Sequence, residues 1–158
     1  MGMLLGNKQM MKNSSGGLPV DVGGLGTSNS SFIPTYTFIS LLNPANNTGT
    51  LTEVQLYVNR AMAGLKIATF RFDTGPGNRY TCKSSVAIGA LSVGYHSITG
   101  LSLGITSGDF IGCYYTSGKI EGATYVSGIV YVSGDRTAVG DSPNYNTSNQ
   151  DIRLAGLG

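Results

Sequence analysis

From Leu51 onward the chain is a succession of short runs of Val, Ile, Leu, Tyr and Thr, each closed by a glycine-containing turn. Between Leu51 and Asn59 the alternation is clean: Val54, Leu56 and Val58 fall on one side, Glu53, Gln55, Tyr57 and Asn59 on the other. A period of two marks a strand with one buried face. The same reading predicts strands over Tyr36–Leu42, Leu65–Phe72, Tyr80–Ile88, His96–Leu103, Phe110–Thr116 and Tyr125–Ser133, with a short last one over Asp151–Ala155. Asn43-Pro44-Ala45-Asn46-Asn47 and Asp73-Thr74-Gly75-Pro76-Gly77-Asn78 carry the Pro, Gly, Asn and Asp of turns. No stretch keeps a helical period, and no internal repeat is visible. The expectation is all-β: a single antiparallel β-sandwich, jelly-roll-like, of about eight strands.

The first thirty-one residues have another character. Every Tyr and Phe lies at Phe32 or later, while the N-terminal stretch holds Gly16-Gly17, Gly23-Gly24 and a tip rich in Met and Leu. Such a composition closes no core of its own. Residues 1–31 are therefore expected to form an extended arm, and 32–158 the β-sandwich domain. Met3, Leu4, Leu5, Met10 and Met11 are the expected contacts of that arm with a neighbouring subunit, because flexible Met side chains adapt to irregular apolar grooves.

Composition narrows the function classes. Charged residues are 11% of the chain, against roughly 25% in a typical soluble domain. Ser, Thr, Asn and Gly must supply the polar surface, which repels neighbours weakly. Net charge is +2 with no run of Lys or Arg, so nucleic acid is not an expected partner. The start lacks the apolar core of a signal peptide, and no apolar run has the length of a membrane-spanning helix, so no membrane partner is expected. Cys82 and Cys113 both fall in predicted strands. Two readings stay open for them, a cross-strand disulfide and a pair of buried free thiols.

Nothing in the chain spells out a reaction. His96 is the one histidine, and no nucleophile elbow accompanies it. Three residues, His96, Cys82 and Cys113, are too few and too scattered for zinc. Of the eight carboxylates, Glu53 sits among polar partners on a strand face. Asp109 and Asp135 follow Ser-Gly in turns, where Asp accepts from nearby backbone N–H groups. No catalytic residue, metal or cofactor is expected, and the chain is read as a non-enzyme. Tyr114 and Tyr115 must point to opposite faces of their strand. Together with Tyr95, Tyr125 and Tyr131 they are candidate contacts for a subunit interface or a glycan.

Two stretches carry a family resemblance. One runs Leu42-Asn43-Pro44-Ala45-Asn46-Asn47-Thr48-Gly49-Thr50-Leu51-Thr52-Glu53-Val54. The other is Gly94-Tyr95-His96-Ser97-Ile98-Thr99-Gly100-Leu101, leading to Gly108-Asp109-Phe110-Ile111-Gly112-Cys113-Tyr114-Tyr115-Thr116-Ser117-Gly118-Lys119-Ile120-Glu121. Over residues 42–135 the chain resembles a small β-sandwich domain of virion structural proteins of tailed bacteriophages. The resemblance implies a capsid decoration protein or a head or tail fibre component. Such a protein would be made in the host cytoplasm without a signal peptide and located in the virion. Its expected partners are copies of itself, as a homo-oligomer and by analogy a trimer, and other virion subunits. The alternative is a carbohydrate-binding module that meets a surface glycan through exposed tyrosines.

Overall fold

The computed structural model describes residues 18–25 and 30–158, and for 30–31 and 123–127 the backbone alone. The described residues form an antiparallel all-β structure: β1 (Asp21–Gly24), β2 (Ser30–Ser31), β3 (Tyr36–Ser40), β4 (Gly49–Phe72), β5 (Tyr80–Leu91), β6 (Gly94–Ile105), β7 (Phe110–Tyr114), β8 (Ser117–Ser133), β9 (Asn146–Ile152) and β10 (Leu154–Leu157). The sandwich-like all-β class matches the alternation in the sequence. The expected eight strands are ten, and their bounds differ in an instructive way.

Leu51–Asn59 and Leu65–Phe72, read as two strands, are parts of one strand of 24 residues. The intervening Arg60-Ala61-Met62-Ala63-Gly64 is not a turn but a corner. Its ladder to β5 slips between Met62 and Leu65, and Gly64 adopts φ 62. Bulges of this kind bend a strand and let it pass from one sheet to the next. The first half of β4 pairs with β6 on one side and β10 on the other, with β1 beyond β10. The second half pairs with β5 and β7, followed by β3, β8 and β9. β5 and β6 follow one another along the same side of β4, with Ser92 and Val93 at the corner. β8 is likewise long, 17 residues, and reaches both halves of β4's neighbourhood.

The core lies between the two halves. Leu51, Val54, Leu56, Leu103 and Leu154 from one side meet Phe38, Ile67, Ile111, Cys113 and Ile129 from the other, all buried. β1 and β10 pack over β7. Gly156 allows the close approach: a Cβ there would lie 2.7 Å from Leu51 Cδ1 and 3.0 Å from Ile111 Cδ1.

The second half of β4 is buried on both faces. Ile39, Ala68, Phe70, Tyr80, Cys82, Val130 and Tyr145 form a second apolar cluster on the outer face. Residues 134–145 cover it, tied down where Cys82 N–H donates to Asp141 C=O (3.0 Å) and Tyr145 N–H to Asn78 C=O (2.8 Å). A strand covered on both faces loses its alternation, which is why 65–70 reads as a nearly continuous apolar run.

The structure corrects the domain boundary. Val20 and Val22, placed in the arm by composition, are buried in the core, and β1 is a paired strand of the sheet. Composition misled because two valines and two glycines are too short a signal to stand out. Of the expected arm, residues 1–17 and 26–29 lie outside the described residues, and with them Met3, Leu4, Leu5, Met10 and Met11. Both cysteines are free. Cys113 belongs to the inner cluster and Cys82 to the outer one, so a sheet separates them and no disulfide joins them.

Gly112 gives a direct test of this packing. A Cβ there would fall 2.3 Å from the Phe38 carbonyl oxygen and 2.8 Å from Phe70 Cε2, whereas Gly104 has nothing within 4 Å. Gly112→Ala is expected to destabilise by about 2 kcal/mol or more, and Gly104→Ala to leave stability unchanged, both measured by urea denaturation.

Candidate functional site

Phe32, Ile33, Tyr36 and Phe38 reach the same place because the chain turns sharply between Pro34 and Tyr36. Thr35 takes φ 69, a conformation a β-branched residue rarely holds. Two backbone bonds fix it there: Thr35 N–H donates to Tyr115 C=O and Gly134 N–H donates to Thr35 C=O, each at 2.9 Å. Backbone strain of this kind clusters at functional sites. Tyr36 and Phe38 then share one face of β3, and the ladder sets Tyr131 opposite Phe38.

The result is a cleft of about 310 Å3, lined by these four residues with Ile129, Tyr131, Ser148 and Gln150. Its walls are ring on ring: Phe32 to Phe38 at 5.0 Å, and Tyr36 to Tyr131 at 6.1 Å, edge-on. Beneath them Tyr115 is fully buried. Its hydroxyl donates to Phe32 C=O at 2.9 Å, and burial pushes its pKa well up. Among the described residues no Asp, Glu, Lys or Arg lines the cleft. It is built to take apolar or weakly polar matter, with Ser148, Gln150, Tyr36 and Tyr131 as the lining residues that carry polar groups.

The tyrosines singled out in the sequence separate. Tyr131 is in the cleft. Tyr115 is core and Tyr114 is half-buried on the other face, as the period of two demands. Tyr95 is exposed and packs on Tyr57, ring centroids 5.1 Å apart and tilted by 51°. Arg153 lies 3.4 Å over the Tyr57 ring and pairs with Glu121, so that face of Tyr57 is already occupied. The side chain of Tyr125 lies outside the described residues. Phe32, Ile33, Tyr36, Phe38, Ile129, Ser148 and Gln150 were missed as site residues, since three separate segments supply them. The one local signal was the dense Phe32-Ile33-Pro34-Thr35-Tyr36 at the onset of aromatic residues.

Several ionisable groups have structural partners. His96 Nε2 lies 2.7 Å from the Ser92 carbonyl oxygen. Glu53 accepts from Gln55 and Ser97, each at 2.7 Å, and these bonds hold its carboxyl below the usual range. Asp135 accepts from Thr137 N–H at 3.0 Å. Asp73 accepts from Thr81 and Ser142, pinning residues 134–145 to the β4–β5 connection. Among the described residues no three His, Cys, Asp or Glu side chains gather as a metal site would require. Burial pushes the Cys82 thiol up to about 11 and the Cys113 thiol up to about 12, which makes them poor nucleophiles.

The stretches 42–54 and 94–121 meet in space. Ala45 N–H donates to Asp109 C=O and Gly108 N–H donates to Ala45 C=O, both at 2.8 Å. Asp109 is buried; it accepts from Thr106 N–H (2.9 Å) and takes both prongs of Arg71 at 2.9 and 3.2 Å. These motif residues build a corner of the scaffold and are not among those that line the aromatic cleft. No model of a known protein family matches the chain, and no curated protein matches it.

On the same face of β3 as Tyr36 and Phe38, Ser40 donates to buried Asp151 at 2.7 Å, and Ile152 N–H donates at 2.8 Å. Burial holds the Asp151 carboxyl above its ordinary value despite those bonds. A folded-state pKa raised in a carboxyl means the folded protein keeps the proton longer, so stability falls as pH rises through that pKa. Asp151→Asn retains an oxygen acceptor and removes the buried charge. Its melting temperature is expected to equal the parent's in acid and to exceed it increasingly as pH rises towards neutrality, read by thermal denaturation across pH.

Proposed function

We propose that the chain is a non-enzymatic structural protein that assembles with copies of itself on a virus particle, as a decoration or fibre component anchored through its N-terminal residues. One observation carries the assembly part. Beyond Cys82, which residues 140–141 cover, β5 and β6 pair with β4 and with no other strand among the described residues. Ser84 to Ile105 form a long edge that contains no Asp, Glu, Lys or Arg. Val86, Ile88, Leu91, Ile98 and Leu101 along it are only partly buried. Proteins that stay monomeric guard such edges with charge, proline or brevity. This edge has none of those guards, so it suits the addition of a neighbour's strand. The virion setting rests on the sequence resemblance alone, and the trimer on the symmetry of such assemblies.

A sugar-binding reading has one feature in its favour: Tyr95 is 48% exposed beside the hydrogen-bonded Glu53, Gln55 and Ser97. A glycan array with saturable hits lost on Tyr95→Ala would favour it over assembly.

Ala87 and Thr99 are exposed on the open edge. The double variant Ala87→Lys, Thr99→Lys is expected to remain folded by circular dichroism while light scattering falls from an oligomer to a monomer. A parent protein that stays monomeric at high concentration overturns the reading, as does an undiminished oligomer in the variant.

A further inference from the structure

We propose that the aromatic cleft is the receptor for the Met- and Leu-rich N-terminal segment of a second copy of this chain, making a head-to-tail contact between subunits. The inference rests on the assembly reading above and names the place where the segment docks.

Three observations converge. First, the cleft and the segment match in chemistry. Residues 1–17, outside the described structure, hold Met1, Met3, Leu4, Leu5, Met10 and Met11, with no aromatic and no acidic residue. Phe32, Tyr36 and Tyr131 offer ring faces and edges, and thioether sulfur packs favourably against aromatic rings. With no charged group in the cleft lining, the cations Lys8 and Lys12 meet neither attraction nor repulsion there and keep their ammonium groups in water.

Second, the segment leaves the described chain at a place separate from the cleft lining. The described chain enters at Leu18, which is 72% exposed, beside Gly158 and Asn47: Val20 N–H donates to Gly158 C=O at 2.9 Å, and Asn47 Nδ2 donates to Pro19 C=O at 2.9 Å. Asn47 lies beyond the C-terminal end of β3, whereas the cleft opens at its N-terminal end, at Tyr36. A segment of one copy seated in the cleft of the next makes a heterologous contact, which closes into rings when the rotation allows. Third, reach is no obstacle: seventeen extended residues span roughly 55 Å.

Two experiments test the inference. Leu5→Cys combined with Ser148→Cys places one new thiol on the segment and one at the cleft, while the native thiols are buried and poorly reactive. Under mild oxidation a ladder of covalent multimers is expected on non-reducing gels. An internal disulfide in a single chain, or no disulfide, overturns docking on a second copy.

In the second, a synthetic peptide of residues 1–17 is titrated onto the full chain carrying Met3→Ser, Leu4→Ser and Leu5→Ser, whose own segment no longer competes. Saturable binding is expected, weakened at least tenfold by Ile33→Asp. Ile33 is 57% exposed, so the added charge enters the cleft with little effect on folding, which the melting temperature checks. Absence of binding, or binding indifferent to Ile33→Asp, overturns the inference. The peptide result does not depend on the β5–β6 edge. If the lysine variants of that edge disperse the oligomer while the peptide fails to bind, the assembly reading stands and the cleft inference falls.

Discussion

Everything in this molecule is positioned by the passage of β4 through both halves of the sandwich. A strand of 24 residues would be about 80 Å long if straight, too long for a domain of this size. The slip between Met62 and Leu65 and the left-handed Gly64 fold that length back. The two halves then face one another and share one hydrophobic core. Because β5 and β6 run beside β4 throughout, they bend with it, and the edge they form belongs to both sheets. β7, β3, β8 and β9 are then placed in turn from the second half.

Few charges are spent inside this frame, and each has a local task. Arg71 and Asp109 lock the β6–β7 turn against β4, and Asp109 also closes the turn through Thr106. The buried charge on Asp109 is tolerated because both oxygens are engaged. Arg153 pairs with Glu121 and stacks on Tyr57, which joins the β9–β10 connection to the outer face of β4. Lys66 and Asp135 pair at 2.6 Å across the start of the covering segment. They remain partly exposed, so that pair contributes little stability. The outer apolar cluster under residues 134–145 is the larger effect there.

The β5–β6 edge and the cleft lining are free of Asp, Glu, Lys and Arg among the described residues. The β5–β6 edge offers backbone groups and half-buried aliphatic side chains. The cleft offers rings. Among the described residues, neither surface contains a carboxylate pair. A chain with 11% charged residues has weak long-range repulsion between copies.

The all-β class, the turns and several strand positions were legible in the alternation of Leu51–Asn59 and in the glycine punctuation, because a half-buried strand imposes a period of two on its own residues. The opposite facing of Tyr114 and Tyr115, and the turn role of Asp109 and Asp135, followed from equally local rules. Local pattern did not reveal that 60–64 is a corner, since a bulge costs one residue of register and leaves composition unchanged. Nor did it reveal that Val20 and Val22 belong to the core, because their burial depends on pairing with β10 at the far end of the chain. The cleft is the clearest case. Phe32, Tyr36, Tyr131 and Gln150 are spread along the chain, Phe32 and Gln150 being 118 positions apart, and only the ladders joining β3, β8 and β9 bring them together. Sequence determines which face each side chain takes along its own strand, while proximity between strands is a property of the closed sheet.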